Sequence, residues 1–303
     1  MLLAAFGAAM VVVSGGLATV RMSAPLPALS SLALSPGDFR SGAAGASQGS
    51  TTVGGRPAYV RVFKSGIRIS ATPLLGAVSL VVLEPEAAVA SADFADLNSS
   101  AQSQAGRQAL AKAWAISFAK GANVGLHGKA KLTVKQTVVG APVEVGTSAL
   151  RLPMTIKTNF GTMRMSFEVA QTDRALAIVM LMGRLNGRLD ASDAAHALAA
   201  AQQHLQEAFT VANTTAPTIS GTQTQGQVVS VDEGIWAGVP STFTYSWSRC
   251  DTTGANCTAI TDATANTYTV TAADAGSTLR VTVTGTNSFS SQQGVSSQTA
   301  VVS

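Results

Sequence analysis

The run from Thr242 to Val283 constrains the fold more than any other part of the chain. Tyr245, Trp247 and Arg249 alternate with Thr244, Ser246 and Ser248, the period-two pattern of a half-buried strand. Asp251-Thr-Thr-Gly254-Ala-Asn256 is a turn cluster in which Gly254 can take a positive φ. The chain then returns through Cys257 to Ile260, so a hairpin places Cys250 and Cys257 on adjacent strands, within the short Cα separation a disulfide needs. Buried free thiols, a redox pair or half a metal site are the alternatives for the only two cysteines in the chain. Their spacing is not CxxC and no third or fourth ligand stands nearby, which favours a structural disulfide. Tyr268-Thr-Val270 alternates again, Ala273-Asp-Ala-Gly276 makes a turn, and Leu279, Val281 and Val283 form the inner side of a further strand.

With Trp247 on a central strand and Asp274-Ala-Gly276 leading into Leu279-Arg-Val-Thr-Val283, residues 216–303 resemble an immunoglobulin-like domain. More closely, the pattern WxRC…C…I…Y…DxGxxLRV is similar to the bacterial Ig-like repeat of secreted and surface proteins. The resemblance implies a β-sandwich over 218–303 used for adhesion, display or spacing. It departs from antibody domains in two places: Thr278 stands where a corner tyrosine would be, and the cysteines form a local pair instead of an inter-sheet one.

Residues 1–20 carry no charge and are rich in Ala, Val, Leu and Gly, the composition of a signal-peptide apolar region. Arg21 follows this run and no basic residue precedes it, which opposes export under the positive-inside tendency. A basic segment lost upstream through a late start codon reconciles the two; a retained membrane helix is the alternative. The expectation is a signal peptide over 1–30, cleaved between Ala24 and Ser30, and a flexible linker over 31–55 rich in Pro, Gly, Ser and Ala. An oxidised cysteine pair agrees with export.

An α+β domain is expected over 56–212. Tyr59 to Phe63 alternates as a strand; Leu74 to Leu83 is strongly apolar and is either a buried strand or a helix start. Glu84-Pro85-Glu86 suits a helix N-terminus, with Pro85 at its first position and acid near the positive dipole end. Leu110, Trp114 and Phe118 recur every four residues, the stripe of an amphipathic helix packing on a sheet. Four strands follow in the clean alternation of an antiparallel sheet with one wet face: residues 129–135, 150–157 and 162–169, with a turn at Asn159-Phe-Gly161, and the uniformly apolar 175–182 as the most central strand. A last helix starts at Asp190, with Asp193 in its first turn, and Asn213–Pro217 is the linker to the second domain. This order of elements resembles the PsbP-like family of secreted bacterial lipoproteins, although no motif carries that resemblance residue by residue.

No signature of catalysis stands out. His127, His196 and His204 are the only histidines, without an HExxH or Cys/His cluster, so no metal is expected; His196 and His204 read as solvated helix residues. Ser117-Phe-Ala-Lys120 matches the SxxK pattern of penicillin-recognising serine enzymes, but Ser192-Asp193-Ala194 and Lys157-Thr-Asn159 are imperfect partners in the wrong order. GxSxG, Walker and GxGxxG motifs are absent from the sequence, and no cofactor is expected. Met154, Met163, Met165, Met180 and Met182 would suit the lining of a carrier for a lipid or other hydrophobic cargo, although core packing explains them more simply.

Charge is the one asymmetric property. From Asn213 onward two arginines face five carboxylates, a net charge of −3, which leaves +7 on the rest. Lys129, Lys131, Lys135, Arg151, Lys157 and Arg164 are expected to project from the wet sheet face as a candidate anion-binding patch. The bland alternative is a solvated face that keeps the protein soluble. The partner so implied is an anionic cell-wall polymer or acidic head groups, or another surface protein; nucleic acid does not fit an exported chain without aromatic residues on that face. A membrane enters only through the N-terminal segment, if uncleaved. The expectation is an exported, non-enzymatic cell-envelope protein, extracellular or on the cell surface, that binds, adheres or displays.

Overall fold

The computed structural model describes residues 26–41, 47–63, 67–69, 73–125 and 131–303, for Ser47, residues 117–125 and Glu144 in the backbone alone. The opening apolar run, Lys129 and His127 lie outside these residues. The chain is a mixture of α and β structure dominated by sheet, and it divides into two compact units, Ala28–Gln206 and Glu207–Ser303.

The first unit is built on an antiparallel sheet of strands β1 (Ser47–Val53), β2 (Arg56–Phe63), β3 (Gly76–Leu83), β4 (Val134–Val139), β5 (Val143–Glu144), β6 (Ala149–Thr158), β7 (Thr162–Thr172) and β8 (Ala175–Met182). Their order is β1-β2-β3-β8-β7-β6-β4, with β5 beside β6. The helices are α1 (Leu29–Leu32), α2 (Ala87–Gln102), α3 (Gln104–Gly125) and α4 (Ala191–Phe209). As the unbroken apolar run suggests, β8 is central, and every residue of both β8 and β3 is buried. That settles 76–83 as strand: a segment without a polar side needs cover on both faces, and only a central strand receives it.

One face of the sheet carries Val78, Leu80, Leu150, Leu152, Met154, Ile156, Met163, Met165, Phe167, Val169, Ile178 and Met180, packed under Ala90 and Phe94 of α2 and Ala111 of α3. Trp114 meets Phe167 edge-on at 4.4 Å between ring centroids and Leu110 packs against the same core, as their spacing implies; the Phe118 side chain lies outside those described.

The other face departs from the expectation of a single wet surface. Ala77, Ser79, Val81, Ala177, Val179 and Leu181 are buried there, and the exposed polar residues lie towards the two edges of the sheet, on β1 and on β7-β6-β4. Residues 29–41, expected as the end of a signal peptide (to residue 30) and the start of a flexible linker (from residue 31), form a strap on this face. Leu32, Ala33 and Leu34 are at most 1% exposed and Phe39 stacks against Phe63 at 4.5 Å. Leu34 N–H donates to Ser79 Oγ at 3.0 Å, and Arg61 Nη1 donates to the Leu34 carbonyl. His204 of α4 holds the strap as well, with Nδ1 donating to Ala33 O at 3.2 Å and Nε2 lying 3.4 Å from Asp38 Oδ1. His204 is therefore not a solvated residue, whereas His196 is exposed. The rest of the linker region, 47–53, is β1, paired with β2.

Three further boundaries shift. The helix after β3 begins at Ala87, with Pro85 ahead of it, and Glu84 is buried in an ion pair with Arg56 at 2.8 Å instead of facing a helix dipole. The strand expected over 129–135 begins only at Val134. The last helix begins at Ala191, capped by Asp190, whose Oδ1 accepts from Ser192 N–H at 3.1 Å.

The second unit contains β9 (Ala212–Thr215), β10 (Thr218–Ser220), β11 (Val228–Asp232), β12 (Ile235–Ala237), β13 (Thr242–Cys250), β14 (Thr258–Ala259), β15 (Thr267–Thr269), β16 (Thr278–Thr286) and β17 (Ser291–Val295). They form a four-stranded sheet β14-β13-β16-β17, a three-stranded sheet β10-β11-β15 and the pair β12-β9. Residues 212–215, at the start of the stretch read as a linker, are thus a strand paired with β12. Trp247, Leu279, Val281 and Val283 of the larger sheet share one apolar cluster with Val229 of β11, Trp236 of β12 and Val270. Trp247 is fully buried, and its Nε1 donates to Ala265 O at 2.9 Å, so the one polar atom of the ring is satisfied.

Cys250 and Cys257 are joined in a disulfide between the end of β13 and the residue before β14. Closing so short a loop stabilises by roughly 2–3 kcal/mol in the chain-entropy model. Reduction is expected to lower the melting temperature of the second unit and leave the first, which has no cysteine, unchanged. Calorimetry with and without reductant checks this; a fall in both transitions would count against it.

Candidate functional site

Helix α3 packs beside β4, the last strand on its side of the sheet. Between them runs an open groove of about 650 Å³. Ala111, Ala115 and Ile116 of the helix give it an apolar wall, and Lys112 stands on the same element. Lys131, just ahead of β4, and Lys135 within it line the opposite side. Among the described residues lining the groove none is acidic. The β4–β6 register shifts between Val134 and Gln136, so Lys135 occupies a bulge, a device that re-aims a side chain at a sheet edge.

The six expected patch residues are thereby divided. Lys131 and Lys135 line the groove on the helix-covered side. Arg151, Lys157 and Arg164 belong to the opposite face, opposite Glu168, Thr162 and Thr155 respectively on the neighbouring strands. Lys129 lies outside the described residues. The expectation of one shared surface fails because 131–133 are not strand, so alternation counted from residue 129 does not set their direction. Arg151 is further committed: its Nε donates to Glu168 Oε2 at 3.3 Å, and the arginine is mostly buried. Arg164 Nη1 donates to Gly187 O at 2.7 Å. Lys112, exposed on α3 opposite the core stripe, lines the groove but is not one of the six residues expected in the patch. The order of elements, α3 followed directly by β4, is the signal that brings it to Lys131 and Lys135.

Among the described residues of the first unit four carboxylates are buried, those of Glu84, Glu168, Asp173 and Asp193, and two of them have clearly raised pKa values. Burial pushes Glu168 up to about 7 against the pull of Ser166 and Arg151. It does the same to Glu84, also to about 7, against the pull of Arg56, which pairs with Asp93 as well at 2.8 Å. Glu84 and Glu168 are each held by a single arginine within the fold, and none of the four is among the residues lining the groove. Among the described residues no group of three His, Cys, Asp or Glu could hold a metal ion, and no helix is long and apolar enough to cross a membrane. The five methionines suggested as a carrier lining are 3–5% exposed and belong to the packed core. Ser117 and Lys120 lie on α3, but their side chains fall outside those described.

No protein-family model, curated protein or solved structure matches this chain. The groove, the charges and the core therefore carry the functional argument.

A carboxyl whose folded pKa exceeds its unfolded one contributes stability while both states hold the proton, and that contribution fades as pH rises between the two values. The first unit is expected to lose stability as pH rises from 4.5 to about 7. Glu168→Gln should flatten that slope. Thermal melts of both proteins across the interval test this; an unchanged slope would show that Glu168 is not its source.

Proposed function

We propose that this protein is an exported, non-enzymatic component of the cell envelope whose first unit binds an anionic polymer in the groove between α3 and β4. The observation that carries this reading is the set of three lysines, Lys112, Lys131 and Lys135, lining an open groove with no acid among its described lining residues. An extended polyanion lying along β4 meets several cations in succession. Each exposed pair alone is worth about 0–1 kcal/mol, so affinity comes from number and falls as salt shortens the reach of each charge. Phosphate-bearing cell-wall glycan is a ligand of this kind.

The second unit, on this reading, is an immunoglobulin-like module for spacing or adhesion. Its antiparallel sheets around Trp247 and its hairpin disulfide support that assignment. The disulfide is consistent with an oxidising compartment, which agrees with export and surface placement.

Retention on anionic wall material should be strong at low salt and weak at high salt. Replacing Lys112, Lys131 and Lys135 together by glutamine should weaken low-salt retention roughly tenfold without unfolding, since the three side chains face water. Retention that is equal for both proteins, or indifferent to salt, would reduce the groove to a solubilising surface.

A further inference from the structure

A second surface lies at the end of the sheet where β6 turns into β7 and β8 leaves for α4. In the first turn Thr158 N–H donates to Gly161 O at 2.8 Å, and Asn159 and Phe160 occupy its tip. In the second, Gly187 N–H donates to Arg184 O at 2.9 Å, with Leu185 and Asn186 at the tip and Asn186 at a φ of 57°. The turns are fastened together: Asn186 N–H donates to Thr162 O at 2.6 Å, and Asn186 Oδ1 accepts from Thr162 N–H at 2.9 Å. The entry to β3 joins them through Leu75 N–H, which donates to Met182 O at 2.7 Å.

Each of these three corners presents a large apolar side chain to water. Phe160 is 47% exposed, Leu185 45% and Leu75 43%. A single exposed leucine is ordinary, but several on adjoining corners form a patch. Turn tips also have no packing need for Phe or Leu, since polar residues and glycine serve them better. Around the corners Lys157, Arg184 and Arg188 are exposed. The nearest acid in sequence, Asp190, is engaged in capping α4.

We propose that this end of the first unit docks on an anionic phospholipid surface. Phe160 and Leu185 enter the boundary between head groups and acyl chains, while Arg184, Arg188 and Lys157 meet the phosphates. Projecting apolar tips within a cationic ring match that boundary, where apolar burial and attraction to anionic head groups add. A protein partner fits less well, because the core of a protein interface is depleted of charge. The contact adjoins the α3–β4 groove, since Asn159 Nδ2 donates to Lys131 O at 3.0 Å, but it uses other side chains, and it gives the protein a route to a membrane that does not use its opening apolar segment.

The test is co-sedimentation of the full chain with vesicles of phosphatidylcholine alone or mixed in equal parts with phosphatidylglycerol. The opening apolar segment is common to all forms, so differences between variants report the tips. Wild type should partition preferentially to the mixed vesicles. F160S with L185S should lower that partition about tenfold or more. R184Q with R188Q should lower it roughly fivefold per charge and remove the preference for anionic lipid. Both pairs should melt as wild type does and keep their retention on anionic wall material, which separates this contact from the groove. Equal partition of wild type to the two vesicle types would overturn the proposal, as would unchanged partition of F160S/L185S. Loss only in the Lys112/Lys131/Lys135 variant would assign the lipid to the groove and equally overturn it.

Discussion

The first unit depends on two neighbouring strands, β3 and β8, that have no polar side. Strands of this kind are stable only with cover above and below, and the architecture follows from that demand. Helices α2 and α3 close one face. On the other lies the strap, which would have little reason to order by itself. Its place is fixed by polar atoms set into an apolar layer: Ser79 receives Leu34 N–H, while Arg61, itself 8% exposed, reaches the Leu34 carbonyl and Gln48. Buried hydrogen bonds add little net energy, but leaving such groups unmatched is costly, so they select one position for the strap over its neighbours.

The second unit is secured more locally. Asp274 is fully buried, and its carboxylate accepts from Arg249 Nε at 2.8 Å, Tyr268 Oη at 2.9 Å and the Thr271 N–H at 2.7 Å. These bonds hold it below the usual carboxylate range although burial alone would raise it. One acid thereby ties β13, β15 and the turn before β16 around Trp247. With the disulfide, it supplements an apolar core too small to fix every loop by packing.

Legibility followed periodicity. Alternation along 150–157 and 162–169, the apolar run 175–182 and the four-residue stripe of α3 each imply an element that the structure contains, because there the side-chain pattern and the buried surface are the same fact. The strap was opaque because Pro, Gly and Ser content signals a turn-rich segment without revealing that Leu32, Leu34 and Phe39 have a face to cover. The charged residues were the least legible. Lys131 lies ahead of its strand and Lys135 in a bulge, so counting by twos misdirects both, and Glu168 reads as a wet residue until its partner Arg151 and the absence of solvent around it are known.

The bulge and lysines at β4 have a consequence beyond ligand binding. An open strand edge offers its backbone to any other strand, including that of a second copy, and Val138 beside it is 47% exposed. A register shift and outward cations at such an edge discourage pairing by distorting it and by setting like charges against each other. The groove lysines that would attract a polyanion therefore also oppose edge-to-edge pairing of β4. A ligand that neutralised them would weaken that guard, so occupancy of the groove and self-association of the protein should rise together.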